Sequence, residues 1–295
     1  MSCVQLARLQ GLLCVMVLGL VCLGAAVRAM NAGLACPDWP LCFGQFIPDY
    51  HPQVYLEFFH RGAAGIVSVF TTIMSFLIFR SPAPPRAAKI LMALALALLL
   101  GQVVLGGLTV LKLLHAATVV SHLALGLTFL ATLAWVYWLL AGKPRRTDSN
   151  LGLRCFLNLF VVLVFAQILL GGLVSSNYAG LACPDFPLCF GEWIPTLQGK
   201  IGLQVLHRLG AYLVFLVTLT FFLSVRNARP QPWLTPSVRS RSALLMLLMT
   251  LQVLLGILNI ALRIPPLITV AHLGLAAAIL LTVLSLRFSA SPPPA

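Results

Sequence analysis

Eight long runs of apolar residues, separated by short polar stretches, constrain the fold of this chain more than any other feature. Each run is close to the ~20 residues that a helix needs to cross the hydrocarbon core of a bilayer. Backbone groups cannot stay unpaired in lipid, and the runs lack the alternation of strands, so we expect helices. Charged residues make up only 8% of the chain, whereas a soluble domain carries about a quarter. The predicted spans cover residues 9–27, 57–79, 88–110, 115–140, 153–175, 203–224, 242–262 and 266–287.

The net charge of +13 is concentrated in the loops that follow alternate spans. Five of the six acidic residues lie in or beside the other set of loops. This asymmetry is the positive-inside bias of a multi-pass protein of the cell membrane, and it argues against nucleic acid as a partner. We therefore expect both termini in the cytoplasm. The main basic residues are Arg80, Arg86, Lys89, Lys143, Arg145, Arg146, Arg154, Arg226, Arg229, Arg239 and Arg241.

The chain contains an internal repeat. The segment AGLACPDWPLCFG at 32–44 recurs as AGLACPDFPLCFG at 179–191 with a single change, and the similarity continues into the fourth and eighth spans. We therefore predict two pseudo-symmetric four-helix bundles, residues 1–147 and 148–295. Four spans per half leave both halves parallel in the membrane, related by an axis along its normal.

Four of the six histidines are paired by the repeat: His60 corresponds to His207, and His122 to His272. Each half thus has one histidine on its second helix and one on its fourth, which we expect to be neighbouring helices, one to two turns inside the helix starts. Two imidazoles at matched depth can hold one haem iron from opposite sides, inside a helix bundle. The alternative is a histidine that only hydrogen-bonds across helices. A duplicated pair of polar residues in lipid favours the functional interpretation.

The two remaining histidines do not follow the repeat. His51 stands where the second half has Gln198, and we interpret it as a solvated loop residue. His115 lies at the outer end of the fourth span, where it could anchor the helix at the interface or contact a substrate.

Charged residues beside the histidines distinguish the two halves. Glu57 lies three residues before His60, on the same helical face, whereas its counterpart is Gln204, which cannot titrate. We interpret Glu57 as a group that moves protons or stabilises positive charge; the alternative is an interfacial carboxylate paired with Arg61. Arg61 and its counterpart Arg208 each follow a predicted ligand. They could snorkel to the interface or bind a haem propionate with two hydrogen bonds.

The loops predicted to be outside carry two C-x5-C pairs, Cys36 with Cys42 and Cys183 with Cys189. This is not a usual zinc spacing. The outer compartment is oxidising, and a structural disulfide is favoured over a catalytic thiol pair, since nothing in the sequence indicates a lowered thiol pKa.

Together these motifs resemble the haem A synthase family, in its bacterial type with a cysteine pair in both halves. The resemblance rests on CPDWPLC at 36–42, on E-x-x-H-R at 57–61, on the single histidines of spans 4, 6 and 8 and on the duplicated layout. It implies an enzyme that oxidises the C8 methyl group of haem O to a formyl group, giving haem A for terminal oxidases. It further implies that His60, His122 and Glu57 receive haem O.

The resemblance also implies a haem B cofactor, held by His207 and His272, that relays electrons. It ties Cys36 and Cys42 to a disulfide. Haem O synthase and terminal oxidase assembly proteins are the partners it suggests, and small-residue pairs such as Gly106-Gly107 could support a homo-oligomer. Three alternatives stay open on the residues alone: a di-haem cytochrome b electron carrier, a quinone-linked membrane thiol–disulfide oxidoreductase, and a transporter.

Overall fold

The computed structural model describes residues 1–142, 151–195, 197–229 and 233–290. Throughout these residues the regular structure is helical, and eight helices are long and apolar enough to cross a membrane, as predicted. In chain order they are α1 (Cys3–Ala29), α2 (Pro52–Arg80), α3 (Arg86–Leu111), α4 (Ala116–Leu140), α5 (Leu151–Ser176), α6 (Gly199–Asn227), α7 (Pro236–Ala261) and α8 (Pro266–Ser289).

Several helices begin at residues suited to a helix start. Ser2 caps α1, with its hydroxyl accepting from the backbone N–H of Gln5, whose side chain returns the bond. Thr235 caps α7 in the same way by accepting from Val238. Proline occupies the first turn of α2, α7 and α8, where its missing N–H costs nothing.

The chain divides into two compact units, Met1–Lys143 and Pro144–Ala295. The predicted boundary between the halves, after residue 147, lies outside the described residues. The relation of the two units by a symmetry axis, and the side of the membrane on which the termini lie, stay predictions.

The first unit is a closed ring of four helices. Helix α1 packs against α2 and α4, and α3 packs against the same two helices. Leu127, Leu130 and Leu133 of α4 are almost completely buried in this unit, as are Leu6 and Leu13 of α1. The seam between α1 and α4 therefore closes the ring between its first and last helices.

The second unit repeats this order of packing. Helix α5 packs against α6 and α8, and α7 packs against α6 and α8. Leu157, Phe160 and Val164 of α5 are buried here, with Ile279 and Leu280 of α8. In both units, the odd-numbered helices thus separate the two helices on which the paired histidines lie.

Candidate functional site

The four repeated histidines lie on the even-numbered helices, as predicted: His60 on α2, His122 on α4, His207 on α6 and His272 on α8. His60 is eight residues after the start of α2 at Pro52, which is about 12 Å along the helix. The sequence had indicated one turn, because the apolar run begins after the helix does. His122 is six residues, or about 9 Å, after the start of α4. Counted from the helix starts, the two histidines of the first unit differ by two residues, or about 3 Å.

The expectation that these histidines lie on neighbouring helices was wrong. Among the described residues, α2 packs against α1 and α3 but not against α4, and α6 packs against α5 and α7 but not against α8. The histidine-bearing helices are therefore diagonal in each ring. The His60 and His122 imidazoles still lie within electrostatic range of each other, as do those of His207 and His272. All four residues are only partly buried. Imidazoles on diagonally opposite helices can bind a flat group from its two faces.

A glycine of the adjacent helix faces each imidazole. A Cβ built on Gly24 of α1 would lie 3.2 Å from Cε1 of His60, and one on Gly171 of α5 would lie 3.0 Å from Cε1 of His207. The corresponding distances are 3.4 Å for Gly106 and His122, and 3.3 Å for Gly256 and His272. Any larger residue would crowd the ring, so the glycines make room for the imidazoles between helices.

Among the described residues, the side-chain amides of Gln102 and Gln167 lie beside the rings of His122 and His207. The amide nitrogen of Gln102 is 3.3 Å from Nε2 of His122. The amide nitrogen of Gln167 is 3.0 Å from Nδ1 of His207 and also donates to the backbone oxygen of that residue, at 2.8 Å. Nδ1 of His60, His122 and His272 is buried without a hydrogen-bond partner in the part of the chain that the structure describes.

These observations fit an axial haem ligand better than a structural metal site. Within the described residues, no group of three or more His, Cys, Asp or Glu side chains could hold a metal ion. Each unit supplies two imidazoles, and haem iron takes two axial ligands of this kind. Buried ring nitrogens without a protein partner, as in His60, His122 and His272, are uncommon for histidines with a purely structural role. The donor set, two imidazoles in each unit, therefore fits one haem in each unit.

Both cysteine pairs form disulfides, Cys36–Cys42 and Cys183–Cys189, as predicted. In the first loop, both carboxylate oxygens of Asp38 accept backbone N–H bonds, from Phe43 at 2.6 Å and from Gly44 at 2.7 Å. The bonds from Gly44 and Phe43 lower the pKa of Asp38 below its ordinary value. Asp185 caps the second loop in the same way. Each loop is thus closed by a disulfide and by a carboxylate.

Arg61 ties the first loop to α2. Its Nη1 donates to the carbonyl oxygens of Asp38 and Leu41, at 2.7 and 2.5 Å. Its Nη2 donates to the carbonyl of Cys36, at 3.1 Å, and to Oε1 of Glu57, at 2.6 Å. The other carboxylate oxygen of Glu57 accepts from the Cys36 N–H at 2.9 Å. The pairing of Glu57 with Arg61, considered above as the alternative, is therefore present.

The second unit has a simpler version of this network. Arg208 donates to the carbonyls of Leu188 and Cys183, at 2.6 and 2.7 Å. Gln204 is buried, and its side-chain oxygen has no partner among the described residues. Both arginines thus hold the disulfide loops, and their contact with a haem propionate stays a prediction.

Of the other two histidines, His115 is the N-cap of α4, where its Nδ1 accepts from the N–H of Ala117 at 3.4 Å. His51 is the N-cap residue of α2 and is exposed. Neither belongs to the paired set, and the capping contact of His115 fits an anchoring role at the helix end.

Sequence reasoning missed the glutamines and glycines that contact the imidazoles. The four glycines occur at equivalent positions of the repeat, Gly24 with Gly171 and Gly106 with Gly256. Gln102 and Gln252 are equivalent in the same way, because each is the first residue of a segment that the repeat preserves, QVVLGGL at 102–108 and QVLLGIL at 252–258. The repeat in the sequence therefore marks these glycines and glutamines, but the packing of the helices is needed to show which imidazole each one faces.

The fold and the site together define a class: a helical membrane protein of two four-helix units, each with a diagonal pair of partly buried histidines. Comparison with known proteins narrows this class. The family model described as cytochrome oxidase assembly protein matches residues 7–54 and 49–284.

Curated relatives point the same way. The haem A synthase of Shewanella oneidensis is 31% identical over 96% of this chain and 96% of its own length. That of Halalkalibacterium halodurans is 30% identical over 69% of this chain and 71% of its own length. That of Shouchella clausii is 31% identical over 68% of this chain. The chain belongs to the haem A synthase family, which confirms the family indicated by the motifs and the predicted class of a membrane oxidoreductase of haem biosynthesis.

Proposed function

We propose that this protein converts haem O to haem A by oxidising the C8 methyl group to a formyl group, so that haem A reaches terminal oxidases. Membership of the haem A synthase family supports the reaction and the substrate. The observation on which the proposal depends most is that each four-helix unit carries its own diagonal pair of histidines. A two-haem protein needs two such pairs, one for a substrate and one for a cofactor.

The first unit is assigned to the substrate. His60 and His122 would hold the iron of haem O, with the isoprenoid tail in lipid. Within the eight described helices, Glu57 is the single acidic residue, and its side chain is almost completely buried, at 4% exposure. Its counterpart Gln204 cannot exchange a proton, so at this pair of equivalent positions the first unit alone has a carboxylate for proton transfer. This difference supports chemistry in the first unit and cofactor binding in the second.

The second unit is assigned to a haem B held by His207 and His272. When bound, this haem would supply one-electron redox chemistry. The residues of the chain contribute position: Gly171 and Gly256 leave room for the rings, and Gln167 orients His207. In the first unit, Arg61 holds Glu57 and the disulfide loop together, and Glu57 Oε1 and Oε2 are the atoms at which a proton would be held or released.

The loops with the disulfides are placed on the outer face of the cell membrane, and both termini in the cytoplasm. The distribution of basic residues supports this orientation, and disulfides are typical of an oxidising compartment. Haem O synthase would deliver the substrate, and terminal oxidase assembly proteins would receive the product. Self-association through helix faces rich in small residues is part of the same proposal.

The test is pigment analysis of the purified full-length protein, with His60→Ala and His207→Ala prepared separately. His207→Ala should lose the tightly held haem B. His60→Ala should keep haem B and fail to convert added haem O. His51→Ala is the matched control, because this exposed histidine makes no capping hydrogen bond and is not one of the paired histidines, and it should retain both properties.

Three results would overturn the proposal. Haem B in both units with no turnover of haem O would indicate an electron carrier of the cytochrome b class. A protein without haem whose cysteines cycle with a quinone would indicate a thiol–disulfide oxidoreductase. Normal turnover of haem O by His60→Ala would remove this histidine from the substrate site.

A further inference from the structure

The two units differ at a pair of positions that touch each other beside a histidine. In the second unit these are Gln167 of α5 and Gly210 of α6. With the offset of the repeat, which aligns His60 with His207, the first unit has Leu20 and Ala63 at the same places. Both residues of this contact differ between the units: Gln167 and Gly210 in the second correspond to Leu20 and Ala63 in the first.

Gly210 makes room for Gln167. A Cβ built on Gly210 would collide with the side-chain oxygen of Gln167. Alanine, the residue at the equivalent position of the first unit, would displace this amide from its position beside His207. Gln167 and Gly210 therefore form a matched pair: the Gln167 amide occupies the space that a side chain at position 210 would fill.

The amide placed in this way reaches His207 twice. Its nitrogen lies 3.0 Å from Nδ1 of the ring and donates to the backbone oxygen of His207 at 2.8 Å. The contact at Nδ1 leaves Nε2 as the ring nitrogen for a ligand. A ligand at Nε2 requires a proton on Nδ1. The Gln167 amide then has to turn so that its oxygen accepts this proton, and it gives up its bond to the His207 carbonyl.

His60 has no equivalent support. Leu20 offers no hydrogen bond, and Nδ1 of His60 is buried without a partner among the described residues. The ring is packed against Gly24, as His207 is packed against Gly171, so the two sites differ in hydrogen bonding and not in the glycine beside the ring.

We propose that Gln167, seated in the space left by Gly210, is a positioning residue that makes the second unit the retaining haem site, whereas Leu20 and Ala63 leave the first unit free to exchange its haem. This inference rests on the haem ligation proposed above and deepens it. A hydrogen bond to the outer nitrogen fixes the orientation of a ligating histidine and raises its basicity, and its loss typically weakens binding about 10–100-fold. A resident cofactor benefits from such retention, while a site that takes up substrate and releases product does not.

The experiment measures the transfer of haem B from the purified full-length protein to excess apomyoglobin. The wild-type protein, loaded with haem B in both units, should release it in a fast and a slow phase. His60→Ala should remove the fast phase, and His207→Ala the slow one. If these two variants do not separate the phases, the ligand assignment of the proposed function fails, independently of Gln167.

With the phases assigned, the double variant Gln167→Leu/Gly210→Ala should accelerate the slow phase about 10–100-fold. It should also shift the midpoint potential of the second haem to more positive values, because a less basic imidazole stabilises the ferric form less. The reciprocal variant Leu20→Gln/Ala63→Gly should slow the fast phase about tenfold, and it tests the idea even if the first variant does not fold. Gln10→Leu is the matched control, a buried glutamine that donates to the Leu133 carbonyl instead, and it should alter neither phase. An unchanged release rate in either double variant overturns the inference.

Discussion

Oε1 of Glu57 lies 2.6 Å from Nη2 of Arg61, four residues further along α2. The same arginine donates to three carbonyls of the disulfide loop, and the same carboxylate accepts from the Cys36 N–H. The pair thus connects the loop above α2 with the helix that carries His60. Any change at Glu57 acts both on a charge and on the anchoring of this loop.

Glu57→Gln should separate these two effects, because an amide keeps the size of the side chain and part of its hydrogen bonding. We expect the variant to bind haem normally and to convert haem O about 100-fold more slowly, the usual range for losing a group that transfers protons. Extracted pigments report the conversion, and the absorption spectrum reports haem binding. Glu192→Gln, an exposed acid of the second loop, is the control. Product formation at the wild-type rate would remove Glu57 from the mechanism.

The disulfide of the first loop should have a structural role. Replacing Cys36 and Cys42 by alanine releases a loop that Arg61 and Glu57 hold, at a cost of about 2 kcal/mol. We expect haem O conversion to fall only partly, together with a lower temperature at which the first unit loses its haem. The same change at Cys183 and Cys189 should lower that temperature for the second unit. Complete loss of conversion with unchanged heat stability would instead indicate thiol chemistry.

The eight helices could be predicted because the length of a span is set by the bilayer and appears directly in the hydropathy of the sequence. Their ends could not, because α2 begins at Pro52 and α6 at Gly199, in polar segments where hydropathy carries no signal. The error of one turn in the position of His60 follows from this. Which helices are diagonal also depends on packing, and the order of the spans does not determine it.

The site was predictable where the residues are chemically conspicuous and duplicated. Histidines and cysteines in pairs met this condition, and the contrast of Glu57 with Gln204 could be seen directly. The roles of Gln167 and Gly24 could not be predicted, because glutamine and glycine occur widely in such helices. Their meaning depends on a contact across two helices, 40 residues apart for Gln167 and His207.

Protonation of Asp38 at low pH should weaken the hydrogen bonds that close the first disulfide loop. Hydrogen bonds from Gly44 and Phe43 hold the pKa of this carboxylate below its ordinary value of 3.8. A lowered pKa in the folded state gives stability that is present above the ordinary value and lost as the pH falls through the lowered one. Reduction of the disulfide by a water-soluble phosphine should be divided, at each pH, by the rate for a small-molecule disulfide, which removes the titration of the phosphine itself. This relative rate should stay constant down to about pH 4 and rise below it.

Asp38→Asn is the comparison for this experiment. An asparagine has one acceptor oxygen for two N–H groups, so the loop should be reduced faster than in the wild type at neutral pH and with little dependence on pH. Asp185→Asn should do the same for the second loop, because Phe190 and Gly191 lower the pKa of Asp185 by the same kind of hydrogen bond. A pH profile that Asp38→Asn does not change would show that another group controls the loop.

The glycines beside the imidazoles give the last prediction. Gly171→Ala would place a Cβ 3.0 Å from Cε1 of His207, closer than ordinary van der Waals contact, so the ring or α5 has to move. Overpacking of this kind costs about 1–3 kcal/mol. If this cost falls on the haem-bound state, haem binding is weaker by about 5-fold to 150-fold. Gly24→Ala should have the same effect on the first unit through His60.

Gly19→Ala is the matched control, because nothing lies within 4 Å of the added Cβ on the same helix as Gly24. Alanine is favoured over glycine in a helix by about 1 kcal/mol, so this variant should be as stable as the wild type or more stable, with unchanged haem binding. Haem titration of the three variants distinguishes the two effects. Equal binding by Gly24→Ala, Gly171→Ala and Gly19→Ala would mean that the rings can shift freely, and that the glycines do not determine where the imidazoles lie.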